Sequence, residues 1–179
     1  MRRLLVLVLL AACGNGGGDQ CRVVPDAGGA GVTADNGDQQ FTFGRFNSSP
    51  NNDCPAGGTS VVSVTIEAEQ VGPVECSPRC VLNLCLPRPD LIGDDPISLG
   101  DADLVRVDSL AAKLSLCETV VDRRAPPTGT VTFQGFCTTA GSHYVVTFAG
   151  AVPVTRTCGD GPTVEATMTL TGAADVAGL

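Results

Sequence analysis

"TVEATMTLT", residues 163–171, alternates without a break. Val164, Ala166, Met168 and Leu170 fall on one side, and Thr163, Glu165, Thr167 and Thr169 on the other. A period of two marks an extended chain with one buried face and one wet face. Working outward, Val62-Ser63-Val64-Thr65-Ile66-Glu67 repeats the pattern, with Val62, Val64 and Ile66 inward. In 80–86, Leu82, Leu84 and Leu86 share a face, and in 40–46 Phe41, Phe43 and Arg45 do.

Further strands are expected at 130–137, 143–149 and 151–158, with shorter ones at 104–107 and 113–121. Thr138-Thr139-Ala140-Gly141-Ser142 and Gly159-Asp160-Gly161-Pro162 read as hairpin loops between them. Pro153 donates no ladder hydrogen bond, so its strand is expected at an edge or a bulge. Ser109-Leu110-Ala111-Ala112 is the one place with room for a short helical turn. Residues 19–40 read as polar and glycine-rich around a single apolar beat at Val23-Val24, 47–58 as a loop, and 172–179 as a frayed tail.

Composition agrees. The chain has 22 valines, one lysine and five glutamates, with Gly 22 and Pro 12 as frequent punctuation. Valine suits a pleated surface, whereas lysine and glutamate favour helices. The expected fold is all-β: an antiparallel sandwich or barrel-like domain, stapled by disulfides, with at most one short helix.

The start of the chain carries a different signal. Arg2 and Arg3 precede an apolar run from Leu4 to Leu10, and Ala11 and Ala12 lead into Cys13. Charge, a short apolar region and small residues before a cut describe a secretory signal. The stretch from Leu4 to Cys13 covers ten residues, half of the roughly 20 that a membrane-spanning helix needs.

Leu10-Ala11-Ala12-Cys13 resembles the lipobox of bacterial lipoproteins. That resemblance covers about the first 20 residues. It implies cleavage between Ala12 and Cys13, with diacylglycerol and acyl chains carried covalently on Cys13. Such chains contribute about 0.8 kcal/mol per buried CH₂, and two or more make a lasting anchor. Gly14, where the family often places aspartate for inner-membrane retention, points by the same resemblance to the outer membrane, facing the periplasm or the cell surface. Domain organisation then follows: a signal at 1–12, a lipidated glycine-rich tether at 13–20 and one domain at 21–179.

Nine cysteines make an odd number. With Cys13 lipidated, Cys21, Cys54, Cys76, Cys80, Cys85, Cys117, Cys137 and Cys158 remain, and eight can pair completely. An exported compartment permits that framework, although 105 connectivities are possible. A rival reading takes Cys76, Cys80 and Cys85 as metal ligands. The triplet lacks the second short pair that structural zinc usually uses.

The full chain has 11 basic and 19 acidic residues. Losing Arg2 and Arg3 with the signal brings the net charge to about −10, which disfavours nucleic acid and anionic lipid surfaces. No motif for haem, flavin or nucleotide is present. Tryptophan is absent and tyrosine occurs once, so stacking on sugar rings is disfavoured too. Asn47-Ser48-Ser49 fits the glycosylation sequon, which carries little meaning in a bacterium.

Candidate chemistry is sparse. His143 is the sole histidine, and Ser142 beside it points to the opposite face of a strand, so the pair cannot act as nucleophile and base. The acidic stretch with Asp90, Asp94, Asp95, Asp101 and Asp103 offers oxygen ligands for Ca²⁺ without the order of an EF-hand loop. The leading expectation is a membrane-anchored, non-catalytic β-domain with a structural role or another envelope or surface protein as partner. A hydrolase using Asp and Glu residues, and a calcium-dependent adhesion module, are the alternatives.

Overall fold

Ten strands form from the alternating stretches in the computed structural model, which describes residues 21–29, 31–50, 54, 62–71, 80–114 and 116–178. They are β1 (Gly31–Asp35), β2 (Gln40–Pro50), β3 (Val64–Val71), β4 (Val81–Leu86) and β5 (Ile97–Ser98). After them come β6 (Arg106–Leu114), β7 (Cys117–Val121), β8 (Thr128–Gln134), β9 (His143–Cys158) and β10 (Val164–Gly178). The one helical element among the described residues is a 3-10 turn at Pro89–Leu91.

Strands β1, β2, β3, β4, β6, β7, β9 and β10 each pair antiparallel with the next, and β10 pairs back with β1. The wall therefore closes into an eight-stranded barrel, and closure removes the exposed edges of an open sheet. Past the start of β1, Val176–Gly178 of β10 run parallel to Phe46–Ser48 of β2 and seal the corner. β7 and β8 lie in succession along the same side of β9, and β5 adds to β8 from outside.

An eight-stranded barrel is just wide enough for side chains to fill it or for one small ligand to enter. Here side chains fill it. Phe41, Phe43, Ile66, Leu82, Leu84, Phe133, Tyr144, Met168 and Leu170 are all fully buried. Burial of each such side chain contributes about 1.5–3 kcal/mol. Tyr144 stacks edge-on to Phe136, with ring centroids 5.1 Å apart, and Phe136 meets Phe133 at 5.9 Å. Burial pushes the Tyr144 phenol up from its ordinary pKa, weakly opposed by Ser48, whose hydroxyl donates to Ala177 O at 3.4 Å.

Several sequence expectations change once the wall closes. In β2 the register shifts between Phe43 and Arg45, and Phe46 takes the next inward place after Phe43. Gly44 permits the bulge, because a Cβ there would come within 2.6 Å of Val71 Cγ2. Val62 lies outside β3 and is exposed, leaving Val64, Ile66 and Ala68 as its inward set. Ser109-Leu110-Ala111-Ala112 belongs to β6, not to a helix, because Leu110 and Ala112 complete the core face against β4 and β7. β1 arises within the stretch read as featureless, and β2 continues to Pro50 through part of the expected loop.

The two strands expected at 143–149 and 151–158 are one, β9. Gly150 is a site of close approach, not a turn. A Cβ on it would collide with Leu99 Cδ1 and Thr128 O, and its partner Gly129 adopts φ 83°. The supposed frayed tail is strand as well, since 172–177 pair with β9 on one side, with 172–173 paired to β1 and 176–178 to β2 on the other.

Pro153 sits inside this central strand. Its carbonyl accepts from Asp122 N at 2.8 Å, so its missing N–H faces the break where the neighbour changes from β7 to β8. No ladder bond is lost to β10, and the expectation of an edge or bulge is replaced by this gap.

Three disulfides join described residues and staple the wall: Cys21–Cys137, Cys54–Cys85 and Cys117–Cys158, closing sequence separations of 116, 31 and 41 residues. Cys117 and Cys158 are directly opposite in the β7–β9 register. Cys80 is disulfide-bonded too. With Cys85 tied to Cys54, the Cys76–Cys80–Cys85 metal reading gives way to disulfides. Ala12, Cys13 and Cys76 lie outside the described residues.

Candidate functional site

The barrel has two different ends. At the far end, the β1–β2 and β9–β10 turns close over polar side chains. Thr119 Oγ1 donates to Gln39 Oε1 at 3.2 Å in a buried pair, and Arg156 pairs with Asp38. At the near end, where β9 begins and β10 finishes, residues 21–27 run across the barrel as a strap. Cys21 bonds Cys137, Arg22 pairs with Asp94 at 2.9 Å, Val24 is buried, and Ala27 N donates to Asp175 Oδ1 at 2.8 Å.

Beside the strap lies a cleft of about 560 Å³. Pro50, Val62, Val64, Pro89, Ile92 and Phe136 supply its apolar surface, and Arg22 and Asp90 stand among its lining residues. The apolar side chains come from the ends of β2 and β3, the 3-10 turn and the β8–β9 loop. An apolar surface with a few charged groups is the usual character of a binding cleft, and barrel mouths are frequent places for one.

A second cleft, about 610 Å³, opens in the side wall between the start of β6, the end of β7 and the loop that leads from β7 to β8. Val105, Val107 and Val121 line it, with Asp122, Arg123 and Arg124 from the loop after β7. Arg124 grips Asp122 through two hydrogen bonds of 2.8 and 2.6 Å and reaches Glu165 at 2.9 Å. Those bonds hold the Asp122 carboxyl at about 2, well below the ordinary 3.8, and raise the Arg124 guanidinium. Arg123 Nη2 donates to Asp108 O at 2.8 Å.

The sign of the Asp122 effect follows from its lowered pKa. The ion pair stabilises the fold above about pH 4, and that contribution fades as pH falls from 3.8 towards 2. Asp122→Asn is therefore expected to lower the melting midpoint slightly at neutral pH, with the gap to the native protein closing between pH 4 and 2. Melting curves across pH 7 to 2 check this. A gap that ignores pH would remove the electrostatic account. Arg124 is largely exposed even though the Asp122 side chain is mostly covered, so the effect is small and shrinks in salt.

The residues singled out as calcium ligands are dispersed. Asp90 is held by Arg88 at 2.9 and 2.7 Å and has its pKa lowered by that bond. Asp94 turns to Arg22 and to Gly135 N, at 2.9 and 2.7 Å. Asp101 Oδ1 accepts from Asp103 N at 3.2 Å in a local turn, and Asp95 is exposed. No three of the five come within metal-ligating reach of one another among the described residues.

A different group converges instead. His143 Nε2 lies 3.0 Å from Asp175 Oδ1 and 3.6 Å from Asp26 Oδ1. Ser142 Oγ points elsewhere and donates to Cys137 O at 3.0 Å. His143 was legible as the sole imidazole. Its carboxylate neighbours were not, because Asp26 and Asp175 stand at opposite ends of the chain and carry no spacing signal. The chain matches no family model, no curated protein and no solved structure.

Proposed function

We propose that this protein is a lipid-anchored, non-catalytic binding module of the bacterial cell envelope, held on the outer membrane by acyl chains on Cys13. The observation that carries the reading is the position of Cys21. It is bonded to Cys137 at the near end of the barrel, and eight chain steps separate it from Cys13. At about 3.6 Å per extended residue, Cys21 lies within roughly 29 Å of the lipid. In this reading the near end, with its cleft, is the part of the barrel tethered closest to the membrane.

With the barrel interior occupied by side chains, surface clefts are where a partner binds. The near-end cleft suits an apolar side chain of another envelope protein, with Arg22 and Asp90 available for polar contacts. Closed walls and several disulfides give such a module resistance to unfolding outside the cytoplasm.

Cys13→Ser is expected to move the protein from the membrane fraction to the soluble fraction with its melting midpoint unchanged. Sedimentation of the variant with membranes would remove the anchor. Intact mass spectrometry of the native protein, with and without reductant, reads the cleavage site, the acyl mass and the bridges together. A photo-crosslinker in place of Val62 should give a discrete adduct in cells, whereas one in place of Thr163 at the far end should not.

A further inference from the structure

We propose that Asp26, His143 and Asp175 form a binding site for a divalent transition-metal ion of the zinc class, which clips the N-terminal strap onto β9 and β10. One ligand atom from each of the three lies within 4.8 Å of the other two. Tetrahedral zinc with N and O ligands at about 2.0–2.1 Å places neighbouring donors roughly 3.3 Å apart. The separations of 3.0 and 3.6 Å from His143 Nε2 bracket that edge. Small side-chain rotations bring the third edge in, because the Asp26 side chain is 84% exposed and unhindered.

The fold makes the convergence. Tyr144 and Val176 pair across β9 and β10 and both point into the core. Their sequence neighbours His143 and Asp175 therefore stand diagonally on the outer face, close enough for long side chains to meet. The strap supplies the third ligand. Within it Val24 is buried and Ala27 N donates to Asp175 Oδ1 at 2.8 Å, which leaves Asp26 facing the imidazole. That backbone N–H also orients the Asp175 carboxylate, as groups around metal sites commonly do.

Without an ion the arrangement is unbalanced. One imidazole nitrogen faces two carboxylates, and a single N–H serves only the nearer. Asp26, at 3.6 Å, is beyond hydrogen-bonding distance and makes no other ion pair or hydrogen bond among the described residues. A doubly charged ion relieves the repulsion between the two carboxylates and uses the imidazole as a donor. Imidazole with carboxylates suits zinc and its neighbours, whereas Ca²⁺ takes six to eight oxygens. Three protein ligands leave a fourth position for water or for a group from outside. His143 and Asp175 side chains are 37% and 35% exposed, so the position is reachable.

The test uses the full chain as its host produces it, purified in detergent, stripped with chelator and kept oxidised so that no thiol competes. ZnCl₂ should bind one ion per chain in a calorimetric titration and raise the melting midpoint, while CaCl₂ at the same concentration should not. Because His143 is the sole histidine, His143→Gln removes every imidazole and is expected to weaken zinc binding at least tenfold. Asp26→Asn, an exposed change, should do the same with the metal-free midpoint unchanged. Zinc binding that is absent, equal in His143→Gln, or retained in full by Asp26→Asn would overturn the site. None of these readouts depends on the anchor or on a partner.

Discussion

Replacing Cys21 and Cys137 together with serine is expected to lower the free energy of unfolding by about 4–5 kcal/mol, a larger loss than removal of either shorter bridge would give. The bridge joins positions 116 residues apart. In the chain-entropy account the stabilisation grows with the logarithm of the loop closed, reaching about 4.7 kcal/mol for 100 residues. The other bridges shorten the loop that is released, but the logarithm makes that correction small. For a domain of this size the melting midpoint should fall by roughly 10–20 °C. Denaturant titration of the double variant measures the change. A loss below about 1 kcal/mol would mean that the strap holds its place through Val24, Arg22 and Ala27 alone.

Phe133→Ala should cost about 3–5 kcal/mol. Phe133 is fully buried on β8, and its ring meets Phe136 edge-on, which in turn meets Tyr144. Truncation leaves a gap beneath both rings in a closed wall that has little freedom to collapse. With no tryptophan and one tyrosine in the chain, Tyr144 fluorescence reports the unfolding from the affected place. The denaturant midpoint should shift while the slope stays constant. An effect under 1.5 kcal/mol would show that Phe136 swings in to refill the space.

Much of the wall was legible as strands. Leu82, Leu84 and Leu86 alternate in sequence and are all fully buried, and Met168 and Leu170 do the same in β10. Where the reading slipped, the cause was a local rule overruled by a distant partner. Gly150 carries the mark of a turn, yet it is a glycine because Leu99 and Thr128 press against its backbone. Ala174 and Val176 sit in a tail that looks weak by composition and is held by β9, β1 and β2. The Phe46 inversion follows from a bulge that Val71, on the next strand, requires of Gly44.

Alternation, valine content and the density of cysteines determined an antiparallel, disulfide-stapled β-domain from the sequence by itself, because the side-chain period of a strand is a local property of the backbone. Closure into an eight-stranded barrel, the choice of Cys137 for Cys21, and the meeting of Asp26, His143 and Asp175 were decided only by the tertiary structure. Each joins residues more than 100 positions apart, and at that distance the partner is selected by register and packing, which no short window of sequence contains.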